Sequence, residues 1–286
     1  MTANMVQNNS TTTEKHLRQI ADMLMLNGTL TNCPGLIHGK TGIAIFFFHY
    51  FQHTGNALLE DYAYDLINEI QAQIHISSSA DYETGISGIG AGMDYLIRNN
   101  FLQADDDFFD DFDQRMYRAV MYDPWQDFSL YDGLMGYGRY WISRLPSMQA
   151  RECLLCIAGK IEEKLFEIPI QEQIDVYCFL RDLYEKSDFN VCIGLLEQCQ
   201  KMDLQSTDIN RCFLRLRNSA IGNMICLYQY NRYFNQKQPD KMKQISDLDM
   251  EKSPVSMGLL TGYAGEGMLR LSAALNQTNM SWMQLL

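Results

Sequence analysis

Three acidic residues, Asp81, Glu83 and Asp132, stand just ahead of glycine-rich stretches in the middle of the chain. Paired carboxylates, one acting as acid and one as base, carry out glycoside hydrolysis and elimination, so convergence of these three at one mouth would suit a carbohydrate-active hydrolase or lyase. The same residue type also caps helix starts, where it accepts free amides and meets the positive end of the dipole. Asp94 and Glu266 lie slightly deeper in the same pattern. His38 and Lys40 flank Gly39. An imidazole at a helix mouth can act as a base, contact an anion, or cap the helix. Tyr82, Tyr131, Tyr137, Tyr263 and Trp125 fall in these loops as well, where aromatic rings stack on sugars, hold a peptide or pack the loop. No Ser-His-Asp order, phosphate loop or nucleotide fingerprint is present.

The thiols point elsewhere. Cys153 and Cys156 have C-x-x-C spacing, but they fall in Arg151 to Lys164, which reads as one unbroken helix without a second pair nearby. Buried reduced thiols are expected there, and likewise at Cys192 and Cys199, seven apart on one helical face. A net charge of -12 opposes binding to nucleic acid or an anionic membrane and favours a basic or neutral partner. Part of that charge is the run Asp105, Asp106, Asp107, Asp110, Asp111 and Asp113, interleaved with Phe108, Phe109 and Phe112. The pattern suits a solvated helix start with a buried aromatic face, or a docking patch for a basic peptide. The first 13 residues lack the basic start and apolar run of a signal peptide. No apolar stretch approaches the roughly 18–20 residues of a membrane span. A cytoplasmic protein is expected, with residues 1–12 disordered and 13–286 forming one domain.

These residues are positioned by a repeat. Gly35-Leu-Ile-His-Gly39-Lys-Thr-Gly42 and Gly258-Leu-Leu-Thr-Gly262-Tyr-Ala-Gly265 share one glycine frame, and each runs into an apolar helical pattern. Ser87-Gly88-Ile-Gly90-Ala-Gly92 and Asp132-Gly133-Leu-Met-Gly136-Tyr-Gly138 are weaker copies. With Gly39, Gly88, Gly136 and Gly262 taken as equivalent, the spacings are 49, 48 and 126 residues. The last is close to three units of about 42, which places eroded copies near Asp175–Leu180 and Ser219–Ile225. Stretches between the motifs, Leu58 to Ile74 among them, are amphipathic at the helical period. The repeat is therefore an outer helix, a loop and an inner helix introduced by glycines. Glycine permits positive φ and close backbone approach, and the inner-helix N-termini offer unpaired amides to a ligand at one mouth. The expected fold is all-α, an α/α barrel of six or seven helical hairpins, with an open solenoid as the other architecture.

The two full motifs resemble those of the lanthionine synthetase C family (LanC-like proteins), whose inner helices begin Gly-Leu-x-His-Gly-x-x-Gly or Gly-Leu-x-x-Gly-x-Ala-Gly. The likeness runs from about Glu14 to the C-terminus and is weak between Leu145 and Ser256. It implies an α/α toroid. In active members a zinc ion, held by a cysteine of one late repeat and a Cys-His pair of the next, activates a peptide thiol for addition to a dehydrated serine or threonine. This chain departs from that pattern. His16, His38, His49, His53 and His75 are its only histidines, so no late Cys-His-Gly exists, and Arg217, Asn218 and Ser219 precede the unit near 220. Cys178 and Cys226 remain as weak metal candidates. The resemblance thus implies a protein tied to maturation or binding of a ribosomally made peptide, without the standard cyclase activity and with no cofactor expected. Its partners would be the precursor peptide or another modification enzyme. The mouth would be lined by Gly35, Gly39, Lys40, Gly88, Gly136, Tyr137, Gly262 and Tyr263. A non-catalytic helical adaptor is the remaining alternative.

Overall fold

The structure, a computed structural model, describes residues 2–201, 220–234, 256–275 and 281–286, with side chains from residue 12 onward and for part of 220–234. Every long element is a helix, and there is no strand among the described residues. In chain order the helices are α1 (Thr2–Gly28), α2 (Lys40–Thr54), α3 (Ala57–Gln73), α4 (Ile86–Arg98), α5 (Asp110–Met121) and α6 (Leu134–Ser143). They continue with α7 (Met148–Lys164), α8 (Ile170–Lys186), α9 (Val191–Lys201), α10 (Ala220–Phe234) and α11 (Tyr263–Ala274), and a 3₁₀ turn covers Ser281–Leu285. Helix α1 begins within the 1–12 segment set apart above. None of the described helices is long and apolar enough to cross a membrane.

Two helix types alternate, as their compositions require. In α2, α4, α6 and α11 burial is nearly continuous, from Lys40 to Phe48 and from Ala264 to Ser272 for example. A helix apolar on all sides must sit inside the protein. Helices α3 and α7 bury one stripe, Leu59, Ala63, Leu66, Ile67 and Ile70 in α3, and Ala150, Cys153, Leu154, Ile157, Ala158 and Ile161 in α7, whereas α8 is buried from Val176 to Leu180 without a break. The acidic run behaves as a solvated helix start. Asp110, Asp111 and Asp113 occupy the first turn of α5, while Phe108, Phe109 and Phe112 pack together with Arg144 over the Phe109 ring.

Each of the four all-buried helices starts the same way, which corrects the register. The N-caps are Gly39, Gly85, Gly133 and Gly262, all extended with φ between -123° and -103°. Gly88 and Gly136 therefore correspond to Gly42 and Gly265, the third glycine of the motif, and Asp81 and Ser129 stand where Gly35 and Gly258 do. The first helical amide folds back onto its own loop in every copy: Lys40 N to Cys33 O (2.9 Å), Ile86 N to Ser79 O (2.9 Å), Leu134 N to Asp127 O (2.9 Å) and Tyr263 N to Ser256 O (3.0 Å). These amides are consequently not open to a ligand, contrary to the sequence expectation. Nor do the motif glycines supply positive φ; among the described glycines only Gly55 does. They are glycine because a Cβ would collide with backbone, as at Gly85 against the Asp81 carbonyl and at Gly262 against Gly258 N and O.

The chain divides into two compact units. The central one comprises Ser77–Leu214. Within it α4 packs on α6 and α6 on α8, while α5 packs on α7 and α7 on α9. The second and third copies meet through Tyr82 N donating to Tyr131 O (2.8 Å), and the Gly136 position has room only for a hydrogen because Tyr82 Cβ lies against it. Gly90 faces the Tyr140 ring, and Gly138 faces Phe179 in the same manner, so α8 supplies the fourth copy. Its glycines are gone. Glu172 and Asp175 accept the Phe128 and Leu130 amides of the third copy instead, each at 2.8 Å. A carboxylate here does the work of the loop carbonyl in the second-to-third seam, since α8 already starts at Ile170 and leaves no such loop.

The other unit comprises Met1–Ile76 and Arg215–Leu286. In it α2 packs on α3, the helix that follows it, while α1 packs chiefly on α11. The hairpin is thus inner helix then outer helix, the reverse of the expected order, and α1 serves as the outer partner of the last inner helix. Leu17, Ile20, Ala21 and Leu24 of α1 are buried, each leucine or isoleucine contributing about 1.5–3 kcal/mol. The last and first copies meet as the second and third do. Leu259 N donates to Ile37 O (2.8 Å), Leu259 Cβ lies against the Gly42 position, and Gly267 faces the Phe46 ring.

Candidate functional site

The expected mouth residues have separate fates. In the terminal unit Lys40 does not line a mouth: it is 3% exposed, and Nζ reaches Glu69 Oε2 of the outer helix α3 at 2.5 Å. A four-carbon stem starting on the first turn of α2 runs outward between the helices, because burial of the ammonium is tolerable only beside a carboxylate. His38 is half-buried and its Cα packs on Gly258, so it belongs to the seam between the last and first copies. Gly35, Gly39 and Gly262 are buried backbone positions, and Tyr263 is half-buried.

In the central unit, Asp81 caps its own helix start. Its Oδ1 accepts from Thr84 N (2.7 Å) and Gly85 N (3.2 Å). Glu83 and Asp132 are half-buried and are brought to one place by the loop pairing, since Glu83 N donates to Tyr131 O at 3.1 Å. Tyr137, one turn into α6, is 5% exposed, and its hydroxyl is pushed up to about 12 by burial and then by the carboxylates of Asp81, Asp123 and Asp127. Trp125 is exposed in the loop ahead of α6, whereas Tyr82 is fully buried and hydrogen-bonded to Arg139. Asp123 and Asp127 were not singled out from the sequence. The local signal was there: they bracket Trp125 in Asp123-Pro-Trp-Gln-Asp127, ahead of a glycine-introduced helix.

The deeper carboxylates are committed to cations. Arg270 of α11, 1% exposed, holds Glu266 Oε1 through Nε (2.9 Å) and a terminal nitrogen (2.7 Å), and its other terminal nitrogen lies 3.1 Å from His16 Nδ1 on α1. Burial first and then Arg270 hold the His16 imidazole below its usual range. Asp94 pairs with Arg98 at 2.8 Å, and burial raises its carboxyl above the ordinary value. In the same unit Arg139 and Asp182 approach to 3.9 Å, both nearly buried. Such networks orient helices, because a lone buried charge is far costlier than a paired one.

The cysteines suit packing rather than chemistry. Burial pushes the Cys153 thiol up to about 12 and those of Cys192 and Cys199 to about 11, and a thiol so protonated is a poor nucleophile or metal ligand. A zinc site of the kind the resemblance implies requires thiolate and imidazole together. Cys178 is buried in α8 of the central unit, and the histidines all precede residue 76. Among the described residues no group of three or more His, Cys, Asp or Glu side chains is arranged to hold a metal ion. The Cys226 side chain and Arg217, Asn218 and Ser219 lie outside the described residues. The donors that are described do not fit the group. No protein-family model matches the chain, and no curated protein matches it.

Proposed function

We propose that this chain is a divergent LanC-like protein, an α/α toroid of helical hairpins, that binds a ribosomally made peptide without catalysing zinc-dependent thioether formation. The observation that carries the ring is the seam between the last and first glycine copies. It repeats the seam between the second and third in its Leu259 N and Tyr82 N hydrogen bonds and in the tight contacts at Gly42 and Gly136 and at Gly267 and Gly90, with Asp81 in place of Gly258. In an open solenoid the terminal repeats do not meet. Assignment of α1 as outer partner of α11 supports closure in the same way.

The peptide reading rests on the resemblance of the two full motifs together with the loops that the four inner-helix starts present. Loss of cyclase chemistry rests on the absence of histidine after residue 75. The test is to incubate purified protein with zinc and a linear peptide containing dehydroalanine and cysteine, following free thiol and bound metal. Saturable peptide binding with the thiol unconsumed is the expected result. One zinc per chain lost on replacing Cys178 or Cys226, or catalysed thiol consumption, overturns the non-catalytic assignment. Absence of peptide binding overturns the rest.

A further inference from the structure

Helix α1 is held to α11 by a histidine that can serve its partner in only one protonation state. His16 is half-buried, and its Nδ1 lies 3.1 Å from a terminal nitrogen of Arg270. A guanidinium carries donors and no acceptor, so Nδ1 must accept. That fixes the ring as neutral, with its proton on Nε2. Arg270 is itself held in place: its Nε and its other terminal nitrogen grip Glu266 Oε1 at 2.9 and 2.7 Å. Protonation of His16 would turn the accepting nitrogen into a donor and set a second cation against the guanidinium.

The charges around the ring favour the same neutral state. Burial first and then Arg270 hold the imidazole below its usual range, Glu266 pulls it up less strongly, and Lys15 of the same helix adds the smallest push down. From α2, which also packs on α1, Tyr50 and His53 engage Glu14, two residues before His16. The Tyr50 hydroxyl donates to Glu14 Oε1 (3.3 Å), and His53 Nε2 stands 3.1 Å from Glu14 Oε2. That second imidazole contact has the opposite sign, since it is an ion pair only when His53 is protonated. One turn of α1 therefore carries two contacts that answer acid in opposite ways: His16 loses its hold on α11 while Glu14 keeps or gains its hold on α2. The carboxylate of the second pair is exposed and screened by solvent, so the first contact dominates.

We propose that the His16–Arg270 contact is an acid-sensitive latch: protonation of His16 frees the part of α1 around Glu14 to Ile20 from α11. The far end of α1 stays attached, because the Tyr62 hydroxyl of α3 donates to Leu24 O (3.2 Å) and Met25 O (3.3 Å). The contribution of the latch to docking is complete above the ordinary imidazole value of about 6.5 and is lost as pH falls through the depressed native value. Release uncovers Leu17 and Ile20, both fully buried when the latch is closed. The device works whatever the chain binds.

The test is hydrogen exchange on the full chain, corrected for intrinsic rates, with α3 as internal reference for the Glu14 to Ile20 segment of α1. Between about pH 7.5 and about pH 5.5, protection of that segment should fall about fivefold relative to α3, as expected for loss of one hydrogen bond to a charged group. His16→Asn puts an amide oxygen where Nδ1 stands and cannot titrate, so its protection should stay level within about twofold. His53→Asn should keep the fall or deepen it. A fall in His16→Asn equal to that of wild type, or no fall specific to α1 in wild type, overturns the latch. Abolition of the fall by His53→Asn alone overturns it too, by assigning the effect to α2. Nitrogen chemical shifts of the His16 ring test the contact without any substitution: a proton on Nε2 at neutral pH is expected, and a proton on Nδ1 overturns it.

Discussion

Replacing Gly258 with alanine tests the seam between the last and first copies directly. A Cβ at this position would overlap the Ile37 carbonyl oxygen and stand 2.6 Å from His38 Cα and 3.1 Å from Ile37 C. All three are backbone atoms, so no side chain can swing away. Restoring ordinary contact requires the two strands of chain to separate by about 1 Å. The Leu259 N to Ile37 O bond, now 2.8 Å, would stretch past the hydrogen-bonding range. Its loss costs about 1 kcal/mol and overpacking a rigid contact about 1–3 kcal/mol, together about 2–4 kcal/mol. Gly159→Ala is the internal control. A Cβ there meets nothing within 4 Å and lies inside α7, so the exchange should stabilise by about 0.5–1 kcal/mol through helix propensity. Urea unfolding followed by circular dichroism gives both values, and hydrogen exchange should show the Leu259 amide losing protection only in the Gly258 variant. A Gly258→Ala protein within about 0.5 kcal/mol of wild type would refute the seam.

Two further outcomes follow from buried charge. Glu69→Ala leaves the Lys40 ammonium, which is 3% exposed, without its carboxylate and held by the Gln73 amide oxygen at 2.9 Å, and should destabilise by about 2–3 kcal/mol, whereas Lys40→Met with Glu69→Leu should fold with nearly wild-type stability in the same urea assay. Burial lowers His49 from 6.5 to about 4. The native state therefore favours the neutral ring, and stability is complete above pH 6.5 and lost as pH falls toward 4, by about 3 kcal/mol over the whole window. Between pH 6.5 and 5, before most carboxylates titrate, His49→Leu should flatten the slope of stability against pH; an unchanged slope contradicts the assignment.

Helix positions were largely legible because their signal is local. The stripe Leu59, Leu66, Ile67 and Ile70 marks α3 whatever it packs against, and the two intact glycine motifs mark α2 and α11. Register was not legible in the middle copies. Gly88-Ile-Gly90-Ala-Gly92 and Gly136-Tyr-Gly138 offer overlapping frames, and Asp81 and Ser129 replace the first glycine. Only the shared N-cap geometry and loop closure separate these frames. The fourth copy was hidden for a different reason: Glu172 and Asp175 keep the seam by accepting amides, a substitution of chemistry that no glycine pattern can register. Among site residues, the capping function of Asp81 was open to inference from its place before a helix. The outward course of Lys40 depended on Glu69, 29 residues away on another helix.

Pairing of α1 with α11 has a consequence for how the protein is made. Arg270 and His16, which touch across that pair, are 254 residues apart, among the longest sequence separations the chain can offer. At a ribosomal rate of 5–20 residues per second, α1 waits on the order of 13–50 s before its partner is synthesised. For that interval the stripe of Leu17, Ile20, Ala21 and Leu24 is exposed to any other apolar surface, including the α1 of a neighbouring nascent chain. Long-range closure of this kind slows folding relative to a helical protein of local contacts. Yield at high expression should accordingly respond to polar substitutions in this α1 stripe.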